Sequence, residues 1–150
     1  MSVNQTAVTS GLSEVETQSI EKLYRAFNER NPDLLDEACW PDWEDIPLAP
    51  GQEPGTNGLK KMMPLYFAAF PDLRIEVDEI VSVSGRAGVR ARLVGTHQGE
   101  IFGVAGSQQP IEVRLYEFHH LREGRVSHTW HLEDWFGMFQ RIGTWPPARG

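Results

Sequence analysis

An α+β fold is predicted, with helices first and an antiparallel sheet after them. Two observations predict it. Apolar residues recur at helical spacing between Val15 and Phe70. From Leu73 onward they alternate with polar residues at a period of two. A run of helices followed by a run of strands marks a segregated α+β domain rather than a series of βαβ units.

Each element follows in order. Ser13 and Glu16 form a capping box, and Val15, Ile20, Leu23, Tyr24 and Phe27 continue as one helical stripe to about Arg30. Asn31-Pro32 starts a short second helix with Leu34, Leu35 and Ala38 inward. Trp40 to Gly55 contains four prolines and reads as an irregular loop over the mouth of any cavity. A third helix starts near Thr56 or Asn57, is kinked or delayed by Pro64, and stops at Pro71. Four strands follow, centred on Ile75, Val89, Val113 and Trp130. The segments 1–12 and 144–150 read as flexible tails of a single domain spanning 1–150.

Composition narrows the partners. A 150-residue chain with 40% hydrophobic residues can bury a core without staples. Its net charge of −7 repels phosphate backbones, so nucleic acid is not an expected partner. A single cysteine, Cys39, forms no internal disulfide and fits a cytoplasmic address. No apolar run approaches the roughly 20 residues of a membrane span. No His-x-x-x-His or Cys-x-x-Cys pair has a third ligand nearby, and no glycine-rich phosphate loop stands between strand and helix, so no metal or cofactor is expected.

The last two strands place chemistry on the sheet. Glu123-Gly124 reads as the tip of a tight hairpin. A regular ladder from that tip sets Leu121 against Val126, His119 against His128, Glu117 against Trp130, Leu115 against Leu132 and Val113 against Asp134. All these pairs share one face, the more apolar one in both strands. Glu117, His119, His128 and Asp134 then lie among Val, Leu and Trp, where an unpaired charge is costly. A cavity between the sheet and the helices is the inference.

Three stretches resemble the SnoaL-like polyketide cyclases. They are Phe70-Pro71-Asp72-Leu73, Gly95-Thr96-His97-Gln98-Gly99, and a closing block of Gly124-Arg125-Val126, Trp130 and Asp134-x-x-Gly137-Met138 through Ile142-Gly143. The likeness runs from about Leu12 to Gly143. Departures are Arg141 in place of the usual Gln, Gly106 to Pro110 in place of Pro-Thr-Gly-Lys, and no match from Trp40 to Pro54. The resemblance implies the cone-shaped fold of nuclear transport factor 2, a curved and mostly antiparallel sheet packed on three N-terminal helices. It also implies an aldol-type ring closure without cofactor, and a homodimer or higher oligomer formed through the convex sheet face.

By that resemblance Asp134 is the catalytic acid and base, and burial would raise its pKa from about 3.9. His119 and His97 are the candidate oxyanion donors, with Glu117 able to orient His119 or to donate if protonated. Glu117, Trp130, His97, Leu132 and Tyr24 are the expected substrate contacts. Glu117 lies roughly 13 Å along the strand from the Asp134 pairing position, too far for a direct dyad. Competing structural readings stand beside these. Asp134 could cap the turn at Trp135-Phe136-Gly137, His97 could bond its own loop, His119 could make a satisfied cross-strand contact, and Glu117 could pair with an arginine. An isomerase, a dehydratase, an epoxide hydrolase and a non-catalytic ligand-binding module also remain open.

Overall fold

In the computed structural model, which describes residues 8, 9 and 11–145, ten elements follow one another along the chain. They are β1 (Val8–Thr9), α1 (Glu14–Asn28), α2 (Leu34–Ala38), β2 (Cys39–Ile46), α3 (Gly55–Ala69), β3 (Arg74–Val83), β4 (Arg86–Thr96), β5 (Pro110–Arg122), β6 (Arg125–Glu133) and α4 (Trp135–Ile142). The class is α+β, as the periodicities require. The sheet order is β1-β3-β4-β5-β6-β2. β3 to β6 form an antiparallel meander, and β1 and β2 add in parallel at the two edges.

The Ser13–Glu16 capping box forms, with Glu16 N donating to Ser13 Oγ at 3.1 Å and Ser13 N to Glu16 Oε1 at 2.9 Å. It starts α1, which buries Ile20, Leu23, Tyr24 and Ala26 against the sheet. Val15, expected on that stripe, is exposed. α3 runs through Pro64 without interruption in its assigned span. The expected Trp40–Gly55 loop is corrected: its first half is β2, which pairs with β6 and buries Trp43. Its prolines misled the reading, because an edge strand has one free side where a missing N–H costs nothing. Of the two expected tails, Val8–Thr9 pairs with β3. The rest of that expectation falls largely on 1–7, 10 and 146–150, outside the described residues.

The hairpin tip is as expected. Glu123 (φ 46°) and Gly124 (φ 83°) both adopt left-handed backbone, the combination that matches strand twist in a two-residue turn. The ladder beyond it is not. Leu121 pairs with Val126, but His120 pairs with His128, leaving Ser127 as an extra residue on β6. That bulge reverses the parity of β6 beyond it. Glu117 now opposes His131, His119 opposes Thr129, and Leu115 opposes Glu133. Thr129, His131 and Glu133 line the inner side of the sheet, while Trp130 and Leu132 face outward beside Phe118 and Tyr116. Leu132 is 75% exposed and Phe118 65%.

The motif residues at the other end serve architecture. Asp72, at the step from α3 into β3, accepts from Thr96 N (2.7 Å) and Thr96 Oγ1 (2.9 Å). Gly95 is needed there because a Cβ would meet Asp72 Oδ1 at 3.0 Å. None of the helices among the described residues is long and apolar enough to cross a membrane.

Candidate functional site

A cavity of about 280 Å³ opens between the inner face of the sheet and helices α1 and α3. Its walls are largely hydrocarbon and aromatic: Leu23 and Phe27 from α1, Leu59 from α3, Leu73 just before β3, Ile75 from β3, Leu93 from β4, Leu115 from β5. Pro47 to Pro50, Phe102 and Trp135 complete the surround. Two polar groups interrupt this lining.

The first centres on Glu117, in the middle of β5. Tyr24, one turn along the buried stripe of α1 from Ile20, donates its hydroxyl to Glu117 Oε1 at 2.8 Å. The same hydroxyl lies 2.8 Å from His119 Nε2. His119 Nδ1 lies 2.8 Å from Thr129 Oγ1, which accepts from Trp43 Nε1 at 3.0 Å. The Tyr24 hydroxyl has one proton and gives it to Glu117, which sets a direction for the chain. Thr129 donates to His119 Nδ1, His119 carries its proton on Nε2 and donates to Tyr24, and Tyr24 donates to Glu117. Every donor thus points at the carboxylate. Burial pushes Glu117 up from 4.5 to about 7, against the lowering effect of the Tyr24 hydrogen bond. Burial also pushes His119 down to about 3, with the nearby His131 charge adding to the effect, so His119 is neutral.

The second group centres on His131. Its Nδ1 lies 2.8 Å from Glu133 Oε1, and its Nε2 lies 3.1 Å from Asp45 Oδ1 and 2.8 Å from Pro47 O. Burial works against the imidazolium, but the hydrogen bonds to Asp45 and Glu133 outweigh it and hold the pKa at about 11. Gln52 Nε2 donates to Asp45 Oδ2 at 2.8 Å. This lattice ties the segment after β2 to β6 and closes one side of the cavity. Tyr66 also lines the cavity, and its hydroxyl has no hydrogen-bond partner among the described residues. Burial, with Glu133 and Asp45 nearby, pushes its pKa to about 12, so it remains an O–H donor.

Of the residues singled out from sequence, Tyr24 and Glu117 line this cavity and His119 stands directly behind them. The placement of Asp134 is corrected. It is the N-cap of α4, its Oδ1 accepts from Gly137 N at 2.8 Å, and it is not part of the cavity wall. The bulge at Ser127 is the reason, since the regular ladder that aimed Asp134 inward does not exist. For the same reason Trp130 and Leu132 leave the site. Trp130 stacks on His128 on the outer side, with ring centroids 5.6 Å apart. His97 is fully buried away from the lining and holds its own loop, with Nδ1 2.9 Å from Ser107 Oγ. Glu117 pairs with Tyr24 and not with an arginine.

Asp45, His131, Glu133, Thr129, Trp43 and Tyr66 were missed. His131 and Glu133 do alternate with Thr129 in the sequence, but the set looks like an ordinary solvated strand face. Asp45 sat in the segment read as loop.

The fold and the cavity under its sheet define a class, the cone-shaped domains with a curved sheet packed on helices. Within that class the chain belongs to the SnoaL-like polyketide cyclase family, whose sequence model matches residues 18–142. No curated protein matches the chain. Solved structures similar to it include TsrD from Streptomyces laurentii, with 22% identity, TM-score 0.79 and coverage of 96% of this chain and 100% of that one. IdmH from Streptomyces antibioticus, a candidate polyketide cyclase, has 28% identity, TM-score 0.75 and coverage of 86% and 99%. AclR from Streptomyces galilaeus, a candidate hydroxylase, has 25% identity, TM-score 0.73 and coverage of 89% and 88%.

Proposed function

We propose that the protein is a cofactor-independent, cyclase-like enzyme in which Glu117 moves a proton between carbon and oxygen of a small carbonyl substrate. The observation that carries this is the environment of Glu117. It is enclosed by protein, open to an apolar cavity, and held near neutrality as an acid, which is the range a general base needs at physiological pH.

The step is an intramolecular aldol closure. The Glu117 carboxylate takes a proton from carbon beside a carbonyl, and the C–H electron pair becomes the enolate. The enolate carbon forms a C–C bond to a second carbonyl carbon of the same molecule, whose π electrons move onto oxygen. The proton on Glu117 then passes to that alkoxide, and the enzyme returns to its starting state. Tyr24 and His119 position Glu117, and the charged lattice around His131 keeps one wall in place. Asp134 is assigned to the helix cap and given no part in the proton transfer.

The homodimer is kept as part of the proposal. Val81, Tyr116, Phe118, Trp130 and Leu132 form an exposed apolar stripe across the outer side of the sheet. Several charges beside it are already matched within the chain, Arg92 with Asp78 and Glu76 and Arg90 with Glu79, while Arg114 has no ion pair among the described residues. Such a surface suits an identical copy better than a charged partner.

The chemistry is tested with 2-tetralone, a small ketone with an acidic C–H, in deuterated water. The wild-type protein should accelerate exchange of the protons beside the carbonyl, read by proton NMR. Glu117→Gln should reduce that to the buffer rate while 2-tetralone still binds, and Asp134→Asn should leave it within about twofold. Exchange that survives Glu117→Gln, or disappears in Asp134→Asn, overturns the assignment.

A further inference from the structure

Three carboxylates line the cavity, Asp45, Glu117 and Glu133, and neither lysine nor arginine does. His131 is the one cation in the lining, and its ring nitrogens are committed to Glu133 on one side and to Asp45 and Pro47 O on the other. Two carboxylates against one imidazolium leave this wall with a net negative charge before Glu117 is counted. Burial is the main reason that Glu117 and Tyr66 hold their protons tightly. The charges of Glu133 and Asp45 add to it at both groups, with His131 opposing them at Glu117. Two side chains from different elements, β5 and α3, thus register the same negative field.

That field has acceptors open to a ligand. Glu133 turns both oxygens to one His131 nitrogen, at 2.8 and 3.1 Å, and accepts from no other donor among the described residues. A carboxylate offers about four lone-pair sites, so it can take a further donor. The Tyr66 hydroxyl has no internal partner among the described residues and can accept as well as donate. Glu133 is the strongest charged influence on Tyr66, which places the two at one end of the cavity. Phe102 and Trp135 add ring faces to the lining, and such faces attract cations. An ammonium group leaving water needs both an unbalanced carboxylate and an aromatic surround. An anion would be repelled here, and a neutral ligand would leave the field unanswered. At about 280 Å³ the cavity lies just below the roughly 300 Å³ lower end of pockets that enclose drug-sized molecules, so the body of the ligand is small.

We infer that the cavity selects a protonated amine carried on a flat body of one or two rings, with the ammonium group seated at the Glu133 and Tyr66 end. This rests on the reading of the cavity as a substrate site, and it narrows that substrate to an amino ketone. The ammonium group is balanced at β6, and Glu117 on β5 is left to work on carbon. An ammonium group also draws electrons from a neighbouring C–H, which eases the deprotonation assigned to Glu117.

Calorimetric titration tests this without turnover. 2-Naphthylmethylamine, 2-naphthalenemethanol and 2-naphthoate share one ring system and differ in charge. At neutral pH the wild-type protein should bind the amine at least tenfold more tightly than the alcohol, and the acid more weakly than either. Glu133→Gln keeps an acceptor for His131. It should weaken the amine at least fivefold and leave the alcohol within about twofold. Glu117→Gln should leave the amine ahead of the alcohol. The inference is overturned if the alcohol or the acid binds wild type as tightly as the amine does, or if none of the three binds. It is also overturned if Glu133→Gln leaves the amine's lead intact or weakens amine and alcohol alike, or if Glu117→Gln alone abolishes that lead. Should Glu133→Gln fail to fold, the wild-type comparison still decides. Amine selection without proton exchange in 2-tetralone would keep the ligand class and sink the Glu117 chemistry. Exchange without amine selection would do the reverse.

Discussion

Glu117 holds its proton more tightly in the folded chain than an exposed glutamate would. The native state therefore binds more protons than the unfolded state between about pH 4.5 and 7. Stability falls as pH rises through that window and stays low above it, the opposite of a salt-bridged carboxylate. Glu117→Gln should accordingly raise stability by roughly 3 kcal/mol at pH 8 and change little at pH 4. Denaturant melts at the two pH values check this, and equal effects at both would contradict it. Tyr24→Phe removes the hydrogen bond that favours the ionised form. Its loss, worth about 1.5–3 kcal/mol, should move the ascending, acid-side limb of the exchange–pH profile upward by about one to two units. An unmoved limb would show that Tyr24 serves packing alone.

At the scale of elements, the end of β6 decides where acid groups go. Asp134 accepts from the Gly137 amide in the first turn of α4, and Asp134→Ala should cost roughly 0.5–2 kcal/mol of stability by urea titration, with Asp134→Asn costing less. The sequence showed the helix-to-sheet division, the Glu123-Gly124 turn, the α1 cap and the inward placement of Tyr24 and Glu117. Local patterns carry all of these. β6 was misread because its two side-chain sets invert the usual rule. The more apolar set, Trp130 and Leu132, faces out toward an exposed stripe, and the polar set, Thr129, His131 and Glu133, faces in toward the cavity. Alternation reports two faces but not which is inner, and nothing local in Val126-Ser127-His128 announces an extra residue. Asp45 was hidden for a different reason. β2 joins the sheet in parallel through residues more than 80 positions away, a pairing with no short-range signature.

For the whole molecule, the outer stripe should make the chain a dimer at micromolar concentration in sedimentation equilibrium. Phe118→Glu, placed at its middle, should give a monomer with an unaltered circular dichroism spectrum. A monomeric wild type would remove the dimer from the proposal. The division of labour is then by face, with one side of the sheet for a ligand and the other for a second copy.

Ser127 sits between those two assignments. As one supernumerary residue in a strand, it acts as a phase shifter for everything downstream as far as α4. Excising it would leave a regular ladder in which His120 still meets His128, so Trp130 and Leu132 would stay outside and His131 and Glu133 would stay inside. What the extra residue does is let two inward side chains, Val126 and Thr129, stand three positions apart in one strand. Family members one residue shorter at this position should therefore present the same two faces of the strand.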